Sequence, residues 1–276
     1  MTTPKPVGAI RLSVIIPAYN ESSRILPYLT QTVQYLARRG DSHEILVVDD
    51  ASTDGTAAVV TQVQTGQPAI RLIPLPRNMG KGAAVRAGMR EARGELRLFA
   101  DADGATPIQE LERLEAAIKA GADLAIGSRP LAARDSRFTV KARAHRSVLG
   151  SFFNLLVQCL GLHGIPDTQC GFKLFRMPIA QDLFSVMRVD GYGFDLELLY
   201  LGRRRSYRVA QVPVNWADQP GSKVRVFRDG VRMLRDMLAI RRNYQKGLYQ
   251  PLPAATSYPS TGVHTDLEAR ISSAGS

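Results

Sequence analysis

Two carboxylates separated by one residue, Asp101 and Asp103, follow a short apolar run that ends at Ala100. Residues i and i+2 of a strand share a face, so a pair at the end of a strand can converge on one hard cation. A divalent ion held there could lie against a diphosphate and neutralise charge as the diphosphate departs. The same spacing also occurs in ordinary turns, so the rest of the chain has to separate the two interpretations.

The first hundred residues alternate short apolar runs with segments of helical periodicity. The runs at 11–18, 44–50, 70–75 and 96–100 are typical of buried parallel strands. Strands alternating with helices predict an α/β fold with a doubly wound, mostly parallel sheet. Ligands of such sheets bind at the carboxyl ends of the strands, where Asn20-Glu21, Asp49-Asp50 and the Asp101/Asp103 pair all fall. We therefore expect a nucleotide site at that edge.

The second half of the chain has a different pattern. Residues 124–129 predict a strand that ends in Arg129, 148–162 an apolar helix, and 227–246 a basic amphipathic helix. The apolar helix is too short to span a bilayer and is suited to lie in the membrane interface. The alternative is that both helices pack against the sheet or against a dimer partner.

The composition is that of a globular protein, with 45% hydrophobic and 22% charged residues in 276. Two cysteines, Cys159 and Cys170, indicate a reducing compartment rather than a disulfide-stapled fold. We expect no signal peptide and no transmembrane helix, because neither an apolar leader nor an apolar run of about 18 residues is visible. Residues 248–276, rich in Pro, Ser, Thr and Ala, are expected to be disordered.

The net charge of +11 is concentrated in one segment, since residues 201–247 hold twelve Lys/Arg and three Asp, a net of +9. Such a block predicts an anionic partner, which could be a nucleic acid, a phosphorylated substrate or an anionic lipid surface. Aromatic residues are not interleaved with the charges, which argues against nucleic acid. A solvated basic face is the alternative.

The polar loops and their flanks resemble family-2 inverting glycosyltransferases at residues 13–21 and 47–56 and in the Asp-x-Asp loop. More specific motifs resemble the dolichyl-phosphate β-glucosyltransferase group and its prokaryotic polyprenyl-phosphate relatives, at 77–82, 100–106, 127–129, 167–175, 194–200 and 214–216. The resemblance implies a GT-A type nucleotide-diphospho-sugar transferase fold over residues 11–247. This domain is expected to divide into a nucleotide-sugar half, 11–130, and an acceptor and membrane-surface half, 131–247. Residues 1–10 form an extension before it.

The resemblance also implies a UDP-sugar over the strand ends. Pro17, Tyr19 and Glu21 would line the base and ribose pocket, Asp50 would contact the uracil, and Lys81 would bind the nucleotide. Each has a simpler interpretation: Pro17 as the end of a strand, for example, or Glu21 as a helix cap. The glycines beside Lys81 do not form a P-loop, so a helix start with exposed amides is expected there.

Asp103 is expected to bind Mg²⁺ or Mn²⁺ against the diphosphate, with Asp101 supporting the metal or contacting the ribose. Related mannosyl-phosphate synthases have a glutamine two residues after the second Asp, whereas this chain has Ala105. That difference favours the glucosyl branch and leaves a third protein ligand unassigned.

A polyprenyl monophosphate has a second pKa near 6, so its attacking oxygen is largely anionic at neutral pH. Catalysis then depends on positioning and charge neutralisation, and we expect cations around the nucleophile. The candidates are Arg129, Arg146, Lys173 and Lys223. Asp195 is either a general base or a residue with a structural or donor-sugar role.

The predicted protein is a hexosyltransferase that transfers glucose from UDP-glucose to a polyprenyl phosphate with inversion, while bound peripherally to the cytoplasmic face of a membrane. One alternative is the same reaction with another nucleotide sugar, such as GDP-mannose, or another phosphorylated lipid. A second is a non-catalytic protein that binds lipid or nucleic acid.

Overall fold

The structure is a computed structural model that describes residues 9–141, 161–220 and 226–250. Its strands are β1 Leu12–Ala18, β2 His43–Asp49, β3 Ile70–Pro74, β4 Leu96–Ala100, β5 Leu124–Ser128, β6 Val140–Lys141, β7 Phe172–Arg176, β8 Val209–Pro213 and β9 Trp216–Ala217. Its helices are α1 Ile25–Arg39, α2 Thr56–Thr65, α3 Lys81–Glu91, α4 Leu111–Lys119, α5 Arg129–Ala132, α6 Met177–Val186, α7 Phe194–Arg204 and α8 Val226–Gln245. A 3₁₀ turn at Ile108–Glu110 precedes α4.

Within the described residues, the central sheet has seven strands in the order β3-β2-β1-β4-β7-β5-β8. Strand β1 is parallel to β2 and β4, and β5 is parallel to β8, whereas β7 runs antiparallel to both β4 and β5. The predicted mostly parallel α/β sheet is confirmed. The two predicted halves contribute strands to this one sheet, because β7 and β8 follow residue 130.

The inner strands are continuous hydrophobic runs because both faces of the sheet are covered by helices. All seven residues of β1, for example, are buried. Helices α3, α6, α7 and α8 cover one face, and α1, α2 and α4 cover the other. On the first face Phe99 of β4 meets Phe194 of α7 edge-on, with ring centroids 5.5 Å apart. This contact fixes the start of α7 against the strand that carries the Asp-x-Asp loop.

A two-stranded sheet, β6 with β9, lies beside the Asp-x-Asp loop. The backbone N–H of Trp216 donates to the carbonyl of Thr139 at 2.9 Å, and that of Ala217 donates to the carbonyl of Ala105 at 2.9 Å. The side chain of Asn215 accepts from the Thr139 N–H at 2.8 Å and donates to Glu110 at 2.6 Å. These bonds hold Trp216 next to the end of β4.

Helix α8 coincides with the predicted basic amphipathic helix, but much of its apolar stripe faces the protein. Met233, Met237 and Ile240 are buried in the core, whereas Val231 and Leu238 are 38% and 58% exposed. The alternative interpretation, packing against the rest of the fold, therefore holds for most of this helix. The predicted apolar helix at 148–162 lies outside the described residues except for its last two.

Among the residues that the structure describes, none of the helices is both long and apolar enough to cross a membrane.

Candidate active site

The Asp-x-Asp loop is a tight turn at the carboxyl end of β4. The Asp101 N–H donates to the carbonyl of Gly171 at 3.0 Å, and Oδ1 of Asp103 accepts from the Ala105 N–H at 3.0 Å. Gly104 adopts a left-handed φ of 66°, and a Cβ there would lie 2.9 Å from the Tyr28 ring. The segment is thus a turn as well as a carboxylate pair, and Oδ2 of Asp103 takes no part in the turn.

Gly171, the residue before β7, lies where two segments of the chain come very close together. A Cβ on Gly171 would overlap the carboxylate of Asp101. The antiparallel pairing of β7 with β4, in which Phe172 lies opposite Ala100, produces this approach. The glycine is part of the motif 167–175, but only the sheet explains why a side chain there would displace the Asp101 carboxylate.

Each carboxylate of the pair has a basic neighbour. Nζ of Lys81 lies 2.7 Å from Oδ1 of Asp101, and Nη1 of Arg24 lies 3.8 Å from Oδ2 of Asp103. Burial disfavours the charged form of Lys81, but the charges of Asp101 and then Asp195 outweigh it and raise the pKa of the amine. Burial and the charge of Asp101 together raise the pKa of Asp103. The two carboxylates thus interact with each other and with two cations, and binding of a divalent ion to them stays a prediction.

Lys81 starts α3, as the sequence predicts, and lies over the Phe99 ring at 5.3 Å from the centroid. The loop before it is held by Asp50, whose two oxygens accept from the N–H groups of Met79 and Gly80 at 2.6 and 2.8 Å. Asp50 is only 2% exposed. Its first observed role is therefore to shape the loop, and contact with a uracil stays a prediction.

The other predicted nucleotide residues lie beside Asp50, because β1 and β2 pair in parallel and the Asp50 N–H donates to the carbonyl of Ala18 at 2.8 Å. Tyr19 is 38% exposed and lies at the surface of this edge. Pro17 is a buried residue of β1, in agreement with its simpler interpretation. The carboxylate of Glu21 is held by the guanidinium of Arg24, at 2.7 and 2.6 Å, and does not cap α1.

Arg129 is fixed by an acidic partner that sequence reasoning did not single out. Nε and Nη2 of Arg129 donate to the two oxygens of Asp167, each at 2.7 Å, and the Arg129 N–H donates to Oδ2 at 2.9 Å. The Arg129 guanidinium also lies over the Trp216 ring at 5.1 Å. Burial favours the protonated form of Asp167, but Arg129 outweighs it and lowers the pKa of the carboxyl. Asp167 is the first residue of the 167–175 motif, and this acid was the one feature of the sequence that could have indicated a partner for Arg129.

Lys173 does not lie on the surface of the site. It is fully buried on β7, and its Nζ contacts Oδ1 of Asp195 and the carbonyl of Cys170, each at 2.6 Å. Burial raises the pKa of Asp195, which is opposed by the charges of Lys173 and Lys81. This geometry disagrees with the predicted direct contact between Lys173 and an acceptor phosphate, because the ammonium group is enclosed and already paired. Lys173 instead forms a buried ion pair with Asp195.

Three predicted residues cannot be placed, since Arg146, Lys223 and Cys159 lie outside the described residues. Cys170 is buried, and burial raises the pKa of its thiol to about 12, so it is an inert core residue. Within the described ranges no three His, Cys, Asp or Glu side chains converge on one point. A magnesium-type ion fits this donor set, because it is usually held by one or two carboxylates together with substrate phosphates.

Solved structures with the same fold include two synthases of sugar-3-phosphoglycerates. Mannosyl-3-phosphoglycerate synthase from Rubrobacter xylanophilus superposes with a TM-score of 0.63 at 20% identity, over 88% of this chain and 77% of that one. Glucosyl-3-phosphoglycerate synthase from Mycobacterium tuberculosis, solved with UDP, superposes with a TM-score of 0.61 at 19% identity, over 84% of this chain and 78% of that one. With the carboxylate pair at the end of β4, these matches define a GT-A type fold.

The family model of glycosyl transferase family 2 matches residues 13–184, and the chain belongs to that family. Among similar curated proteins, dolichyl-phosphate beta-glucosyltransferase ALG5C of Trichomonas vaginalis is 43% identical over 85% of this chain and 72% of that protein. The dolichyl-phosphate beta-glucosyltransferases of Dictyostelium discoideum and Homo sapiens are 38% and 37% identical, over 89% and 87% of this chain and 78% of each. The predicted enzyme class and the family resemblance are confirmed.

Proposed function

We propose that the protein transfers glucose from UDP-glucose to a polyprenyl phosphate, dolichyl or undecaprenyl, with inversion at the sugar carbon. The observation that carries the proposal is the electrostatic interaction of Asp101, one of a cation-balanced carboxylate pair with Asp103, with an arginine that is held by its own acid, Arg129 with Asp167. Relatives with 35–43% identity that are named dolichyl-phosphate beta-glucosyltransferases support the choice of sugar and acceptor.

On the donor side, Asp103 would hold Mg²⁺ or Mn²⁺, with Asp101 beside it. When bound, the ion supplies charge neutralisation for the departing diphosphate. A related fold, the M. tuberculosis glucosyl-3-phosphoglycerate synthase, has been solved with Mn²⁺, UDP and its product. Lys81, whose Nζ lies 2.7 Å from Oδ1 of Asp101, would contribute a further positive charge beside the diphosphate. Tyr19 and the loop shaped by Asp50 would bind the nucleoside.

On the acceptor side, Arg129 would bind the lipid phosphate. The pair with Asp167 engages Nε and Nη2 and, as far as the described residues show, leaves Nη1 for a phosphate oxygen. A phosphate monoester is already anionic at neutral pH, so no carboxylate is needed as a base. Asp195, buried between Lys173 and Lys81, would balance their charge and hold Lys81 in place. Arg146 and Lys223 remain candidates for further phosphate contacts.

The acceptor's lipid tail requires a membrane, and we propose peripheral binding on the cytoplasmic face. Support comes from the basic segment 201–247, net +9, and from the exposed Val231 and Leu238 on α8 among exposed arginines. Basic residues near an anionic surface contribute about 1 kcal/mol each. A solvated basic face is the competing interpretation, and nucleic acid is not expected as a partner.

The test is transfer of radiolabelled glucose from UDP-glucose to undecaprenyl or dolichyl phosphate, with Mg²⁺ and with EDTA. We expect metal-dependent labelled lipid, loss of it in Asp103→Asn, and normal turnover in Glu91→Gln, a control that removes a carboxylate which is 57% exposed at the end of α3. Labelling only from GDP-mannose, or only of another phosphorylated lipid, would move the proposal to that substrate. A folded protein that binds oligonucleotide and transfers no sugar would refute it.

A further inference from the structure

Arg24, the residue before α1, connects three parts of the chain. Its Nε and Nη2 donate to the two oxygens of Glu21 at 2.7 and 2.6 Å. Its Nη1 donates to the carbonyl of Pro220 at 3.0 Å and lies 3.8 Å from Oδ2 of Asp103. One guanidinium therefore contacts the loop after β1 and the chain after β9, and stands beside the carboxylate loop after β4.

The orientation of this guanidinium is restricted. A two-point bond to a carboxylate fixes the plane of an arginine, and only 17% of the Arg24 side chain is exposed. Nη1 is thus held between two acceptors of different kinds, the neutral carbonyl of Pro220 and the charged carboxylate of Asp103. The 3.8 Å separation from Asp103 is too long for a hydrogen bond, so that contact is one of charge alone.

A divalent ion on Asp103 would compete with Arg24 for the same negative charge and repel the guanidinium. We propose that Arg24 links occupancy of Asp103 by a divalent ion to the position of the chain at Pro220. This inference rests on the metal-binding role of Asp103 in the proposed function. In the absence of the ion Arg24 neutralises Asp103, and when the ion binds, the guanidinium shifts and the carbonyl of Pro220 moves with it.

The chain at Pro220 leads to the acceptor side of the site. Four residues earlier is Trp216, whose ring lies against Arg129 at 5.1 Å, and three residues later is Lys223. A displacement at Pro220 therefore acts on the segment that carries Trp216, whose ring lies against Arg129, the residue proposed to bind the lipid phosphate. Through this link, metal binding on the donor side would adjust the acceptor side before the acceptor arrives.

The chain contains one tryptophan, Trp216, so its intrinsic fluorescence reports on this segment. We expect Mg²⁺, which does not quench by paramagnetism, to change the Trp216 emission of the wild-type protein. Arg24→Gln should abolish that change although the metal still binds. Arg38→Gln, at an exposed position on the same helix, removes an equal charge about 21 Å away along the axis and serves as the control.

Metal affinity provides the second readout. Removing a positive charge beside Asp103 should make Mn²⁺ bind about tenfold more tightly in Arg24→Gln, measured by electron paramagnetic resonance of the free ion with and without UDP. Arg38→Gln should match the wild type. Arg24→Lys keeps the charge but not the two-point bond. It should bind Mn²⁺ with wild-type affinity and show a weaker fluorescence response, and it substitutes for Arg24→Gln should that variant fail to fold.

The link is overturned by unchanged or weaker Mn²⁺ binding in Arg24→Gln, by a wild-type fluorescence response in that variant, or by a full response in Arg24→Lys. Those results leave the proposed function intact as long as the wild type binds Mn²⁺ and transfers glucose. A wild-type protein that binds no Mn²⁺, even with UDP, and transfers no glucose refutes the proposed function and the link with it.

Discussion

Replacing Asp167 by Asn should release Arg129 while leaving a side chain of the same shape. Asp167 is 4% exposed and accepts three hydrogen bonds from Arg129, at 2.9, 2.7 and 2.7 Å. An asparagine keeps one oxygen and places an amide donor against a guanidinium donor. The arginine then loses its two-point bond and keeps mainly its contact with the Trp216 ring.

The magnitude follows from burial. Removing one partner of a fully buried ion pair costs about 3–5 kcal/mol, but 32% of the Arg129 side chain is exposed, so water can solvate part of the freed charge. We expect a loss of about 2 kcal/mol in the free energy of unfolding. A displacement of about 1 Å at the acceptor phosphate should lower kcat/KM about 100-fold, chiefly through a higher KM for the lipid phosphate.

The assays are urea unfolding and steady-state transfer with varied lipid phosphate. Asp182→Asn is the matched control, because Asp182 is about equally buried and pairs with Arg205 and Tyr207 rather than with Arg129. It should lose comparable stability and keep normal kinetics. Because the pKa of Asp167 is lowered from 3.8, its stabilisation is present above pH 4 and lost as the pH falls. Wild-type KM in Asp167→Asn would refute the positioning role.

Three other outcomes are expected. Gly171→Ala should push the Asp101 carboxylate aside and reduce turnover by at least about 100-fold with little change in the circular dichroism spectrum, whereas wild-type turnover would contradict the close approach. Asp54→Asn should lower the free energy of unfolding in urea by about 1 kcal/mol above pH 5, since hydrogen bonds hold the pKa of Asp54 at about 2, and the difference from wild type should vanish between pH 4 and pH 2. A pH-independent difference would show that charge is not involved. Raising the salt concentration should release the protein from anionic vesicles without unfolding it, and retention in high salt would indicate apolar insertion instead.

Most of the nucleotide half could be predicted from the sequence. Strands buried on both faces appear as short apolar runs, and the runs at 11–18, 44–50, 70–75 and 96–100 correspond to β1 to β4. The Asp-x-Asp pair and Arg129 were found because polar residues at strand ends stand out against apolar runs. The start of α3 at Lys81 was equally visible from the glycines around it.

Strand β7 was less predictable, because its five residues are interrupted by two basic side chains, Lys173 and Arg176. A lysine in a motif next to a proposed phosphate site suggests a phosphate ligand. The antiparallel insertion of β7 between β4 and β5 instead buries Lys173 under Asp195. Similarly, the hydrophobic periodicity of α8 predicted an amphipathic helix. It did not show whether the apolar face of that helix contacts a membrane or the protein's own core.

Local apolar runs and motifs read in order were enough to predict the fold class, the strand-end position of Asp101 and Asp103, and the family. The pairing of the charges, in contrast, depends on the three-dimensional fold. Arg24 with the carbonyl of Pro220 and Arg129 with Asp167 join residues 196 and 38 positions apart. Such partners meet only when the strands have been ordered in the sheet, and a carboxylate in the sequence does not indicate which of many arginines will reach it.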